Sequence, residues 1–246
     1  MLSDAAFARA RELVEGALPD RPGSSCRLQL DAGSRWVLVV EDGRVVRWEP
    51  GELPDAEAEL RWSPEDAVAV LTGRLDGDEA YRRTMMTERS RNGEEYVGPP
   101  PPMDFPERKD EIEALPLLPG VTVTTHYRFR SGPFGDVDFW IAWEDGRVTG
   151  MDLGRPEDPD VRVEVTYRAM AEVRDGSITI IEALEGGAVD GKIGPMALLA
   201  GLHETREWQR VERTVGPSGA ALATVGELRE VPAFREACAA LVEESG

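Results

Sequence analysis

The chain has 246 residues, enough for one large domain or two small ones. Its 28 Lys and Arg against 47 Asp and Glu leave a formal charge of −19, which argues against nucleic acid or an anionic membrane surface as the main partner. Hydrophobic residues at 41% supply a core and exclude wholesale disorder, and no apolar run reaches the roughly 18 residues that span a bilayer.

The opening MLSDAAFARARELVEG has neither a basic n-region nor an apolar h-region. A secretory signal is therefore not expected, stable membrane insertion is not expected, and the expected compartment is the cytoplasm. Residues 3–17 read as an amphipathic helix, capped by Ser3 or Asp4 and stopped before Pro19. Cys26, Leu28 and Leu30 then alternate with polar neighbours, as a strand does. Cys26 and Cys238 lie far apart without CxxC spacing, which reads as two separate reduced thiols.

A hairpin follows around Asp42-Gly43, then a strand at 56–62 with Ala58, Leu60 and Trp62 on one face. Ser63-Pro64-Glu65 opens a helix: Ser caps, Pro takes the first helical position, and acidic residues fill the first turn. Ala67, Val70 and Leu71 form its apolar stripe, Gly73 ends it, and a second short helix is predicted at 76–83. Residues 98–106, GPPPPMDFP, cannot sit in a helix interior or a central strand and read as a stiff linker.

Beyond the linker the order repeats. Residues 36–46, WVLVVEDGRVV, and 139–149, FWIAWEDGRVT, are each an apolar strand, EDGR and a second strand, offset by 103. Without a gap the same offset places Asp55 on Asp158, Val70 on Val173, Gly73 on Gly176, and Glu79-Ala80 on Glu182-Ala183. A hairpin coincidence would not persist through the next helix, so duplication is the better reading. In VTVTTHYRF, Val121, Val123, Thr125, Tyr127 and Phe129 face one way and Thr122, Thr124, His126 and Arg128 the other. Residues 139–143 read as a strand buried on both faces. Val161, Val163 and Val165 form a further inward face, followed by a helix to Gly176. Period alone leaves SITIIEALEGG open between helix and strand. EWQRVERTV reads as a strand, and 232–244 as a short helix with Phe234, Cys238 and Leu241 on one stripe.

These residues resemble the sterol carrier protein-2 domain family. The first copy carries Leu71-Thr72-Gly73-Arg74-Leu75-Asp76-Gly77-Asp78-Glu79-Ala80-Tyr81, similar to the family's helix-closing signature. The second carries Gly187-Ala188-Val189-Asp190-Gly191-Lys192-Ile193-Gly194, similar to its closing turn, followed by apolar Met196, Leu198, Leu199 and Leu202. The first copy departs at 84–95, where TMMTERSRNGEE replaces an apolar tail, and the second at Gly176-Ser177-Ile178-Thr179. The resemblance implies an α+β fold of two units, each a mixed or antiparallel sheet covered by helices on one face. The units would span 1–97 and 107–246, with 98–106 between them. It also implies an apolar cavity between sheet and helices that takes a lipid, sterol or fatty-acyl ligand, with no cofactor. Cavity-lining candidates are Phe139, Ile141, Trp143, Met170, Met196, Leu199, Leu202 and Trp62. The Ala-, Arg-, Gly-, Glu-, Val- and Pro-rich composition points to a GC-rich bacterial genome.

Catalytic signatures are missing: there is no GxSxG, no P-loop, no GxGxxG after a strand and no HExxH. His126 and His203 have no metal-ligand spacing, no metal is expected, and each reads as a solvated or helix-end histidine. Glu41-Asp42 and Glu144-Asp145 recur because hairpin turns demand them. The tryptophans read mainly as core. The expected role is carriage of a hydrophobic molecule or its presentation to a partner enzyme. The alternatives are a cyclase or isomerase using His126, Tyr127 or a buried Glu in the same cavity, and an interaction module whose cavities are filled by side chains.

Overall fold

A computed structural model describes residues 25–42, 44–89, 95–100, 109–115, 118–203, 206 and 218–236. The helix expected at 3–17, most of the proline segment, the strand expected at 207–215, Trp208, Cys238 and Leu241 lie outside the described residues.

The first sheet contains β1 (Cys26–Asp31), β2 (Arg35–Glu41), β3 (Arg44–Pro50), β4 (Ala58–Arg61), β5 (Met85–Arg89) and β6 (Glu95–Gly98), in the order β3-β2-β1-β4-β5-β6. Helices α1 (Pro64–Leu71) and α2 (Gly77–Arg83) link β4 to β5. After α3 (Lys109–Glu113), the second sheet contains β7 (Val123–Gly132), β8 (Gly135–Glu144), β9 (Arg147–Leu153), β10 (Val161–Thr166) and β11 (Ala188–Gly191). Its order is β11-β10-β7-β8-β9. Helices α4 (Tyr167–Asp175) and α5 (Ile180–Glu185) link β10 to β11, and α6 (Ile193–His203) and α7 (Ser218–Glu230) follow. The molecule is thus α+β, with two mixed sheets: β1–β4 and β7–β10 are parallel pairs and the other neighbours are antiparallel.

The two sheets share their geometry position by position. The EDGR turns place Asp42 and Asp145 at φ 48° and 46°, the left-handed region that Asp tolerates and a hairpin turn needs. Ser63 caps α1 and Thr166 caps α4; Asp76 caps α2 and Thr179 caps α5. Each cap side chain accepts the N–H three residues on, which satisfies one of the free donors of a helix start. Gly73 and Gly176 follow the first helix of each unit at φ 70° and 81°. SITIIEALEGG therefore resolves as a helix, fixed by the Thr179–Glu182 capping box. Ahead of β2 and β8 the offset is smaller: Cys26 lies opposite Val40 and Val123 opposite Trp143, so β1 and β7 correspond at an offset of 97. The difference is taken up in the longer hairpin arms that carry Ser131–Gly135.

One buried apolar cluster runs through both sheets. From the first sheet come Leu28, Leu38, Leu60 and Met86; from the second, Phe139, Ile141, Val161 and Val163. Helix α7 contacts β1 as well as β7 and α4, so the second half of the chain covers the first sheet. Phe234 stands edge-on to Trp48 at 5.3 Å, and Tyr81 of α2 meets Phe134 of the β7–β8 hairpin at 6.2 Å. Arg168 ties α4 to α7 through a half-buried pair with Glu227 at 2.6 Å. Glycine allows two close approaches. A Cβ on Gly77 would stand 1.8 Å from the Asp136 carbonyl, and one on Gly226 would stand 2.1 Å from the Ser131 carbonyl.

Two sequence expectations are corrected. Residues 139–143 are not buried equally on both faces: Phe139, Ile141 and Trp143 face the core, whereas Trp140 and Ala142 are half-buried on the outer face. Segment 84–95 is not simply a polar replacement, because Met85–Arg89 forms the strand equivalent to β11 and Glu95–Gly98 a further one. Helix α7 was not expected; Gly219 and Gly226 lower its intrinsic propensity, and tertiary packing holds it.

Candidate functional site

The β3–β4 and β9–β10 connections must each pass two intervening strands. They do so across the outer face of the sheet, away from the helices. In the first unit Leu53 packs on Val37 and Val39 there, and Gln29 secures the segment. The Gln29 side-chain amide donates to the Trp36 and Gly51 carbonyls at 2.7 and 3.1 Å, and its oxygen accepts the Leu53 N–H at 2.7 Å. The same anchor bonds recur in the second unit. Gly51 and Gly154 N–H donate to the carbonyls of Arg35 and Asp138, and the Arg27 and Thr124 N–H groups donate to the carboxylates of Glu57 and Asp160.

Each connection leaves a groove between itself and the sheet. The first, about 300 Å³, includes Gln29, Arg35, Glu52, Glu57, Glu59, Glu88 and Glu95 in its lining. The second, about 450 Å³, includes His126, Arg128, Arg155, Pro159, Arg162 and Val189. Corresponding positions carry opposite charge. Arg35 of the first unit answers to Asp138 of the second, Glu52 to Arg155, and Glu59 to Arg162; Gln29 answers to His126. Arg35 meets both Glu52 and Glu59, at 3.2 and 3.0 Å. In the mirror arrangement Asp138 meets Arg155 at 2.6 Å and His126 Nε2 at 2.8 Å.

His126 is therefore not solvated, as its place on a polar strand face suggested. It is 8% exposed, lies on the groove floor, and is oriented by a buried carboxylate. Asp138 is itself held by the neighbouring unit, since its N–H donates to Asp78 of α2 at 2.8 Å. Asp160, beneath the connection, is kept below the usual carboxylate range by Lys192 and then by the Thr124 N–H. Cys26 is pushed up to about 12, first by burial and then by the Glu57 charge, so its thiol is no nucleophile. Among the described residues no cluster of His, Cys, Asp and Glu could hold a metal ion.

The cavity candidates occupy the other, helix-covered side. Phe139, Ile141 and Trp143 line the core face of β8, Met170 is buried on α4, and Leu199 and Leu202 are buried on α6. Trp62 follows β4 of the first sheet, and its indole donates to Thr84 Oγ1 at 2.6 Å. The Met196 and His203 side chains lie outside the described residues. All the described candidates belong to the common cluster, but the principal neighbour of α6 among the described elements is α5 rather than β8. Sequence reading missed the outer grooves. The signal was present at the 103-residue offset, which already sets Glu52 against Arg155 and Glu59 against Arg162. The Gln29–His126 match is displaced by the longer hairpin.

No family model and no curated protein matches the sequence. Among solved structures, a crystal structure of sterol carrier protein 2 is 18% identical over 44% of this chain and 91% of that one, with a TM-score of 0.36. The sterol carrier protein 2 like 2 protein of Aedes aegypti is 19% identical over 39% of this chain and 90% of that one, with a TM-score of 0.34. The palmitated form of SCP2L2 from Aedes aegypti is 20% identical over 35% and 75%, with a TM-score of 0.30. No described helix is long and apolar enough to cross a membrane.

Proposed function

We propose that the chain is a duplicated sterol-carrier-like unit whose second copy binds a hydrophobic small molecule beside α6, for carriage or for presentation to a partner enzyme. Equal strand order, equal turn conformations and equal helix caps in the two halves support the duplication. The observation that carries the binding reading is α6 itself. Its sequence, IGPMALLAGLH, has no charged residue before the terminal histidine. Leu199 and Leu202 are buried, yet Leu198 is 55% exposed, and Ile181 of the adjoining α5 is 48% exposed. A helix apolar on every side needs an apolar partner on every side. The motif resemblance supports a lipid, sterol or fatty-acyl chain as that partner, driven by burial at about 25 cal/mol per Å². Phe139, Ile141, Trp143, Met170, Met196, Leu199, Leu202 and Trp62 remain the proposed lining.

Leu199→Trp tests the site by titration with cis-parinaric acid beside a thermal melt. The parent is expected to bind about one probe per chain. The variant should lose binding with little change in melting temperature, because added volume fills a ligand space without straining neighbours. A variant that binds as the parent does overturns the site. The continuous buried cluster favours a second reading, an interaction module with a filled interior. On that reading the parent binds no probe, and Leu199→Trp destabilises by about 1–3 kcal/mol.

A further inference from the structure

We propose that the outer groove of the second sheet is a site for an organic oxyanion, a carboxylate or phosphate on a small apolar group, held between Arg162, Arg155 and His126. This site is separate from the proposed ligand site beside α6 and does not depend on it.

The two outer grooves are built on one plan. In the first, the three charges that have counterparts of opposite sign close on themselves: the single guanidinium of Arg35 reaches both Glu52 and Glu59, and the Gln29 side chain is spent on backbone partners. In the second, the signs are exchanged, but the closure is incomplete. Asp138 reaches Arg155, the counterpart of Glu52, and not Arg162, the counterpart of Glu59. Arg162 forms no ion pair among the described residues, although Asp190 stands across from it on β11. The remaining charges are engaged elsewhere: Arg128 with Asp136 at 2.7 Å, and Glu164 with Arg130 at 2.8 Å.

His126 completes the set. Its Nε2 is committed to Asp138, and its Nδ1 has no partner among the described residues. Its ring lies on the floor of a groove wider than its counterpart, about 450 against 300 Å³. An oxyanion in front of Arg162 would supply the counter-charge that Arg35 gives Glu59 in the first sheet and that Asp138 does not give Arg162 in the second. A guanidinium presents a planar fork of donors matched to carboxylate and phosphate oxygens. Pro156, Pro159, Ala188 and Val189 give the same groove an apolar wall, which suits an organic anion over a bare ion.

Calorimetric titration of the full chain with sodium octanoate, octanol and inorganic phosphate tests the assignment, with Arg162→Glu as the key variant. That substitution installs the residue of the first unit at an exposed strand position, so the fold should hold; equal thermal melts check this. Octanoate should bind at least tenfold tighter than octanol, and Arg162→Glu should weaken it at least tenfold. Repeating the titrations in a Leu199→Trp background removes any octanoate held at the proposed α6 site, so that the remaining binding reports the groove. Competition by phosphate would identify the oxyanion as the shared element, and binding of phosphate alone would identify the free ion as the ligand. The assignment is overturned if neither anion binds, if octanol binds as tightly as octanoate, or if Arg162→Glu binds octanoate as the parent does.

Discussion

Asp78 shows how one side chain can link the two units and strain the link. It lies in the first turn of α2, and its Oδ1 accepts the N–H of Asp138, 2.8 Å away on β8. Burial pushes its carboxyl above the ordinary value of 3.8, and the charges of Asp138 and Asp76 push it further; the hydrogen bond from Asp138 opposes them. An acid raised by folding holds its proton where the unfolded chain has already lost it. Its ionisation therefore lowers stability as pH rises from the unfolded value through the folded one, and the loss is absent below both. Asp78→Asn keeps an acceptor for the Asp138 N–H and removes the charge. The variant should be more stable than the parent by about 0.5 kcal/mol at pH 7, with the difference vanishing near pH 3. Urea unfolding at both pH values measures this. A variant less stable at pH 7 would show that the charge itself holds the junction.

At the scale of elements, α7 does what no local pattern announces. Its Gly226 lets the helix backbone reach the Ser131 and Gly132 backbone of the β7–β8 hairpin. In an exposed helix, Gly→Ala stabilises by about 0.5–1 kcal/mol. Here the sign should reverse, because the new Cβ meets backbone atoms that cannot turn aside. Gly226→Ala should destabilise by about 1–3 kcal/mol, read as a lower melting temperature, and an unchanged or higher one would refute the close packing. The contrast between α7 and the other elements explains what the sequence disclosed. Strands alternating Cys26-Leu28-Leu30 or Val161-Val163-Val165, capped helices after Ser63 and Thr166, and EDGR hairpins are local statements, and each was legible. The matching caps Thr166 and Thr179 stand at the same offset, but period alone left the second of these helices open. Helix α7 and the burial of His126 depend on partners far along the chain, Ser131 and Asp138 among them, and no window contains both. The grooves fall between these cases. Their charge reversal stands in the sequence, but it acquires meaning only when the crossing segments bring Glu52 to Arg35 and Arg155 to Asp138.

At the scale of the molecule, each sheet lends the other a cover. The first half has helices α1 and α2, but its tail supplies strands rather than a closing apolar helix. Helix α7 and Phe234 from the far end of the chain take that place, against β1 and Trp48. In return, Tyr81 and Gly77 of the first half cover Phe134 and the start of β8. The exchange is unequal. Removing the second half would bare Trp36, Trp48 and much of a sheet face, at about 1.5–3 kcal/mol for each large side chain. Removing the first half leaves the second sheet with α4 and α5 of its own, and with α7 still on β7. Fragment 107–246 should therefore melt cooperatively, at a lower temperature than the intact chain, and fragment 1–97 should show no cooperative melt. Mixing the two should restore a single transition near that of the intact protein, which circular dichroism with thermal melts would record. Two equally cooperative and independent transitions would show instead that each sheet closes its own core. Phe234→Ala would then leave the first fragment's signal untouched in the full chain. On the shared-core account it lowers the single transition by the cost of a buried aromatic, about 3–5 kcal/mol.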